Sequence, residues 1–295
     1  MTKTAWVFPG QGSQKTGMGI DLIELDQAKP KFAQAEEILG WSVVEVCQSE
    51  DNISRTLYTQ PCLYVVETIL ADLMQQRGQH PDLVAGHSLG EYIALYAAGV
   101  FDWAAGLTLV QQRAKLMDNA AGGMMAALIG FDREQLEQQI QQNPDVVLAN
   151  DNSAAQVVIS GTPEAVQTVL AQVNAKRAVP LNVSGAFHSP LMATAASEFQ
   201  TVLQSVVFNS AQLPVLSNVD PTPTIDGEVL KERLSRQMTS SVRWRETCEH
   251  FRQDIHRVVE IGPGNVLTGL IKRTHSDLRL ENISSVADLP ERGEE

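Results

Sequence analysis

Short apolar runs alternate with amphipathic stretches along most of the chain. Trp6-Val7-Phe8 reads as a strand running into a loop, Pro9-Gly10-Gln11-Gly12-Ser13-Gln14. Residues 61–77 carry apolar positions on one side at helical spacing. Asp82-Leu83-Val84-Ala85-Gly86 predicts a strand. A helix from Leu89 to Ala98 follows directly and ends on Gly99, a favourable residue just past a helix C-terminus. That helix is apolar nearly all round, which places it in a buried layer. Asp102 is positioned to cap the next helix, which runs to about Asn119.

From Gly123 the pattern changes. Met124 to Gly130 predicts a strand, and Asp132 a capped, Gln-rich helix to about Asn143, with Gln135 at the capping-box position. Val146–Ala149 and Gln156–Ser160 read as two more strands. Thr162-Pro163 opens a helix to about Ala175, and Ala178 to Val183 closes as a fourth strand. The order β-α-β-β-α-β in about sixty residues is the ferredoxin-like unit. The expectation is an inserted α+β subdomain over 123–186, with 1–122 and 187–295 forming the core. In the core, Ser189-Pro190 caps a helix to about Val206, Pro214–Val219 is a strand, helices fill roughly 228–253, and Arg257–Ile261 is an apolar strand ending in Gly262-Pro263-Gly264. Parallel strands alternating with helices on both faces imply an α/β architecture. The acidic tail after Pro290 is expected to fray.

At 295 residues, 43% hydrophobic and 19% charged, the chain can bury one large core that carries an insertion. The N-terminus reaches a strand at once, with no signal-peptide stretch, and no apolar run approaches membrane-spanning length. Three widely spaced cysteines, Cys47, Cys62 and Cys248, fit a reducing cytosol, so a cytoplasmic location is expected. The six histidines form no metal-binding spacing, so no metal is expected. A net charge of −13 repels nucleic acid and anionic membrane, which removes both as partners.

Gly86-His87-Ser88-Leu89-Gly90 fits G-x-S-x-G, and a strand precedes it while a helix follows. That is the setting of a nucleophile elbow: a tight turn that strains the serine and aims its Oγ, with the amide of Leu89, above a helix N-terminus. It points to an α/β-hydrolase-like core with a parallel sheet. A glycine-rich turn with a capping serine is the plainer reading. Serine needs a base. His80, His250, His256 and His275 lie in polar or helical surroundings, and His87 is turned away by the elbow itself. His188, ending the loop Ser184-Gly185-Ala186-Phe187-His188 before a capped helix, is left by elimination, although a loop histidine can equally be a surface residue.

Arg113 is flanked on its helix by Gly106, Leu109, Val110, Leu116 and Met117, so it sits in the middle of the apolar stripe. A guanidinium there keeps its charge and must meet an anion. Either an internal Asp or Glu supplies it, or a ligand carboxylate does, through two parallel hydrogen bonds. Gln11 lies in a loop whose flanking Gly10 and Gly12 permit close approach, so its amide is a candidate second oxyanion donor beside Leu89; a plain turn is the alternative.

Together these segments resemble the malonyl-CoA:acyl carrier protein transacylases of fatty acid synthesis and the related polyketide synthase acyltransferases. The resemblance rests on Phe8-Pro9-Gly10-Gln11-Gly12-Ser13-Gln14, Gly86-His87-Ser88-Leu89-Gly90-Glu91, Gln112-Arg113-Ala114-Lys115-Leu116-Met117, Asn150-Asp151-Asn152-Ser153, Gly185-Ala186-Phe187-His188-Ser189-Pro190-Leu191-Met192, Ser217-Asn218-Val219-Asp220 and Gln237 before Thr239. It runs from about Trp6 to Ser285. It implies Ser88 as nucleophile and His188 as base, oriented by a backbone carbonyl near Gln237. It implies an oxyanion held by the Gln11 and Leu89 amides and a malonyl carboxylate held by Arg113. Phe187 matches the malonyl-selecting form of the histidine motif, and Met117, Asn152 and Gln237 stand at further substrate-site positions. The implied substrate is malonyl-CoA, the implied acceptor is acyl carrier protein, no cofactor is needed, and a monomer is expected.

A thioester hydrolase would share the elbow and base but has no use for a buried cation; a trans-acting polyketide acyltransferase would share every motif, and a non-catalytic module would have no need to keep them. Carrier proteins are typically acidic, so docking on an acidic chain calls for a local basic patch. The expected patch is 231–252, where Lys231, Arg233, Arg236, Arg243, Arg245 and Arg252 face only Glu232, Glu246 and Glu249. The alternative is that those arginines pair along their helices.

Overall fold

The computed structural model describes residues 3–120 and 122–291, so the acidic end, 292–295, lies outside the described residues. The strands are β1 (Lys3–Phe8), β2 (Leu83–Gly86), β3 (Met124–Phe131), β4 (Val146–Ser153), β5 (Gln156–Gly161), β6 (Ala175–Pro180), β7 (Val215–Leu216), β8 (Ile255–Ile261) and β9 (Arg279–Ile283). The helices are α1 (Lys29–Leu39), α2 (Val43–Gln48), α3 (Glu50–Ile53), α4 (Thr56–Gln76), α5 (Gly90–Ala97), α6 (Trp103–Asp118), α7 (Arg133–Gln142), α8 (Pro163–Gln172), α9 (Ala193–Gln204), α10 (Gly227–Arg236), α11 (Trp244–Asp254) and α12 (Val266–Thr274).

The larger sheet has the order β7-β2-β1-β8-β9, with parallel pairing throughout. Side chains alternate across a strand, so Trp6 and Phe8 enter the apolar layer under α4, α5, α6 and α9, while Ala5 and Val7 face the layer of α11 and α12. Burial on both faces is why the central strands read as unbroken apolar runs. The smaller sheet is antiparallel, order β4-β5-β3-β6, and α7 and α8 cover one face through Leu136, Val166 and Val169. The chain is thus an α/β core with a ferredoxin-like α+β unit, as the pattern predicts. The smaller sheet is tied to the core where Asp151 N–H donates to Val242 O (2.9 Å) and Val242 N–H to Ala149 O (2.8 Å). That contact brings the end of β4 over the elbow.

Local expectations differ in places. Asp102 and Asp132 cap α6 and α7 as expected. Gln135, however, does not close a capping box: its Oε1 accepts from Asn174 N–H at 3.0 Å, and Asp132 N–H goes to Asn174 O. This cross-strand lock stops α8 at Gln172 and starts β6 at Ala175, three residues before the expected strand. The α1–α3 region and the half-buried edge strand β9 have weak periodicity and are not anticipated from sequence.

Candidate active site

The site forms where β1 and β2 end. Ser88 has φ 51°, the left-handed region that costs a side chain free energy and persists only under constraint. The constraint is visible. A Cβ on Gly86 would lie 1.9 Å from the Gly90 carbonyl carbon, and one on Gly90 would lie 2.0 Å from Phe8 O, so both glycines are required for the turn to close against β1. Asn218, just past β7, braces the elbow from outside. Its Oδ1 accepts from Ser88 N–H at 2.7 Å and its Nδ2 donates to Gly86 O at 2.6 Å.

Ser88 Oγ lies 2.8 Å from His188 Nε2. His188 Nδ1 faces Gln237 O at 2.9 Å, and a carbonyl can only accept, so Nδ1 carries the proton and Nε2 is free to take one from Ser88. His188 is itself left-handed, φ 57°, immediately before Ser189, whose hydroxyl donates to Ala186 O at 2.6 Å and accepts from Leu191 N–H. Burial first, and then the charge of Arg113, lowers His188 from 6.5 to about 3. The imidazole is therefore neutral in the resting site.

Arg113 is 0% exposed. Its Nη1 donates to Gln60 Oε1 (2.8 Å), and its Nη2 to Ser88 Oγ (2.9 Å) and Gln237 Oε1 (3.1 Å). Every one of these acceptors is neutral, and Nε–H is buried without an acceptor. Among the described residues no carboxylate pairs with Arg113, so the internal ion-pair alternative is not realised. A buried cation on neutral oxygens, one hydrogen bond from Ser88 Oγ, suits an anionic ligand group.

The Gly10–Gln11 turn lies against the elbow, since a Cβ on Gly10 would meet His87 O at 2.3 Å and Leu89 N at 3.6 Å. Among the described residues neither the Gln11 nor the Leu89 main-chain amide donates within the chain. Such a pair of free N–H groups beside Ser88 Oγ has the make-up of an oxyanion hole. Met117 and Phe187 are both buried, and Met117 Sδ accepts from Gln60 Nε2. Asn152 spends its Oδ1 on His87 Nε2 at 2.8 Å, turning His87 away from Ser88 toward Trp244. Its side chain is thus a brace beside the elbow.

Sequence reasoning passes over two contributors. Gln60 on α4, 0% exposed, ties Arg113 to Gln11. Glu91, fully buried on α5, accepts from Gln237 Nε2 at 2.6 Å and from Asn218 N–H at 3.2 Å. The signal for both was a polar residue within an apolar helix, the same signal that singles out Arg113.

The expected basic patch is largely spent on internal pairs. Arg236 binds Glu232, Arg252 binds Glu249, and Arg243 binds Glu246, all along their helices. Arg245 reaches Asp151 (2.9 Å) and Arg233 reaches Asp220 (2.6 Å), acids outside the segment that the local charge count omits. Lys231 donates to Val206 O. The helix-pairing alternative thus holds for Arg236, Arg243 and Arg252, while Arg233, Arg245 and Lys231 find partners elsewhere in the fold.

No helix among the described residues is long and apolar enough to cross a membrane. Residues 5–292 match the acyl transferase domain family. The chain is 60% identical over 289 residues to the malonyl CoA-acyl carrier protein transacylase of Synechocystis sp., covering 97% of this chain and 99% of that one. It is 42% identical over 283 residues to the polyketide biosynthesis malonyl CoA-acyl carrier protein transacylase PksC of Bacillus subtilis, covering 92% and 97%. The crystal structure of the Synechocystis malonyl-CoA:ACP transacylase superposes with a TM-score of 0.96, covering 97% of this chain and 98% of that chain. With an elbow serine whose Oγ meets both an imidazole and a buried guanidinium, the chain belongs to the acyl transferase domain family over nearly its whole length.

Proposed function

We propose that this protein moves a malonyl group from malonyl-CoA to the phosphopantetheine thiol of acyl carrier protein, through a malonyl ester on Ser88. The observation that carries the reading is the 2.9 Å contact of Arg113 with Ser88 Oγ, which fixes a buried positive charge beside the acyl carbon. Ser88 Oγ attacks the thioester carbonyl as its proton passes to His188 Nε2. The Gln11 and Leu89 amides hold the oxyanion, and the departing CoA sulfur takes the proton back. The carrier thiol then repeats the sequence in reverse.

Arg113 exchanges its neutral acceptors for the malonyl carboxylate. Phe187 disfavours an α-methyl, and Met117 and Gln237 complete the pocket wall. Serine, imidazole and main-chain amides supply every group the transfer uses, so no resident metal or organic cofactor enters. The protein acts as a cytosolic monomer in fatty acid synthesis. A hydrolase of neutral acyl chains is disfavoured by the cation in the pocket.

Intact-mass spectrometry after mixing with malonyl-CoA tests the reading. A malonyl adduct should appear on the wild type, be absent from Ser88→Ala, and discharge on adding carrier protein. An adduct that decays equally fast in buffer alone would instead identify a hydrolase.

A further inference from the structure

Arg113 raises an electrostatic problem that its own contacts do not solve. Burying a guanidinium among neutral oxygens leaves its charge uncompensated at contact distance. The compensating charge sits one amide group away. Glu91 Oε2 accepts from Gln237 Nε2 at 2.6 Å, and the other end of the same amide, Oε1, accepts from Arg113 Nη2 at 3.1 Å. Glu91 is buried, which raises its pKa, and among the described residues its Oε1 has no partner. Oε2, however, accepts the Asn218 N–H as well, and the hydrogen bonds from Gln237 and Asn218 together with the charge of Arg113 oppose that rise and favour the carboxylate. The orientation of the Gln237 amide is fixed from both sides, because Nε2 also donates to Ser88 O at 2.9 Å.

We propose that Glu91 is the counter-charge of Arg113, held off by the Gln237 amide so that the guanidinium stays available, and that it thereby sets how tightly the site grips a carboxylate. The inference rests on the reading of the site as a malonyl site. A direct ion pair would satisfy Arg113 and block it, and no counter-charge would leave it grasping any anion. With one amide between them, the charges attract without contact, and a substrate carboxylate meets a cation already partly balanced. Glu91 touches neither substrate nor the reacting atoms, so it is a positioning residue acting through electrostatics.

The sign of its effect is distinctive. Glu91→Gln keeps the shape and can still accept from Gln237, but it deletes the negative charge. Affinity for carboxylates should therefore rise. At an effective dielectric constant of about 20, losing a like charge one amide away should change carboxylate binding about tenfold. Acetyl transfer has no carboxylate to feel the change, so any shared effect on the nucleophile or base cancels in the ratio of malonyl to acetyl kcat/KM.

The experiment measures that ratio in the wild type and in Glu91→Gln, together with the Kd of free malonate by calorimetry. The expected result is a malonyl-to-acetyl ratio about tenfold higher in the variant, and malonate bound about tenfold more tightly. A ratio that is unchanged or lower would overturn the proposal, because a merely structural Glu91 lowers both rates alike or loosens Arg113. Should Glu91→Gln fail to fold, Glu91→Asp serves, since it keeps the charge: its ratio should stay within about threefold of wild type while both rates fall, and a larger change would count against the proposal. Malonate binding needs no turnover. If the transferred acyl group proves not to be malonyl, the difference in malonate Kd still tests the pairing of Glu91 with Arg113.

Discussion

His188 Nδ1 stands 2.9 Å from the main-chain oxygen of Gln237, so the imidazole is oriented by a peptide carbonyl and not by a side-chain carboxylate. A carbonyl fixes the tautomer as a carboxylate does but adds no negative charge to stabilise an imidazolium. The nearby charge is positive, from Arg113, and it works in the same direction as burial. The resting site thus keeps its imidazole neutral, and the Gln237 side chain ties that arrangement to Arg113, Ser88 and Glu91.

A pH prediction follows from that environment. Only neutral His188 can accept the Ser88 proton, and its folded pKa, about 3, lies below the ordinary 6.5. Lowering the pH through 6.5 should therefore leave the base competent. The profile of kcat/KM for malonyl-CoA should stay flat from about pH 8 to about pH 5.5, with no inflection at the ordinary imidazole value. An acid limb centred near 6.5 would show that the imidazole is solvated in the working enzyme.

Arg113→Ala should separate two acyl groups. Malonyl transfer loses a charge-assisted contact of about 2–4 kcal/mol, roughly 30- to 1000-fold in kcat/KM, while acetyl has no carboxylate to lose. Parallel assays with malonyl-CoA and acetyl-CoA give the comparison. Equal losses would make Arg113 a structural residue.

Asn218→Ala should treat the two acyl groups alike. Its amide holds Ser88 N–H and Gly86 O, so its loss relaxes a strained nucleophile whatever the donor. Leaving the Ser88 N–H and the buried Gly86 oxygen without this partner should cost about 1–3 kcal/mol and lower kcat for both donors by roughly 5- to 150-fold. A loss confined to malonyl would place Asn218 in substrate recognition instead.

Glu67 on α4 offers a test of stability. It is fully buried, neither carboxyl oxygen has a hydrogen-bond partner, and burial, then the charge of Glu260, raises its pKa well above 4.5. Glu260 instead caps α12, accepting the N–H groups of Leu267 and Thr268. Above the unfolded pKa of Glu67 the native state holds a proton that the unfolded state has released. Glu67 thus removes stability as pH rises, by about 1.4 kcal/mol per pH unit until the folded pKa is reached. Glu67→Gln abolishes that slope. Denaturant unfolding at pH 5 and pH 7 should show the stability of the variant relative to wild type growing with pH. A constant difference would mean that Glu67 is ionised in the fold.

The elbow was legible in the sequence because its causes are local. Gly86, Ser88 and Gly90 lie within five positions, and the contacts that demand glycine arise wherever a strand turns straight into a helix. Arg113 was legible for a related reason: burial on a helix follows a 3.6-residue period, so a cation inside the apolar stripe stands out before any contact is known. Gln60 and Glu91 carry the same signal, each a polar side chain in an apolar helix, but periodicity does not say what such a residue meets.

Partners were decided by packing. Arg233 and Arg245 look free in a local charge count, yet Asp220 and Asp151 reach them from β7's end and from β4. Gln135 suits a capping box by spacing, but β6 brings Asn174 within its reach. By itself the sequence determined the alternation of layers, the inserted α+β unit, the strained serine and the buried cation, because each depends on near neighbours along the chain. Only the tertiary structure decided that Gln60 reaches Gln11, that Asn152 braces His87, and that Glu91 stands one amide behind Arg113. Hydrogen bonds and charge pairs act over about 3 Å, and residues 49, 65 and 146 positions apart come that close only when whole elements pack.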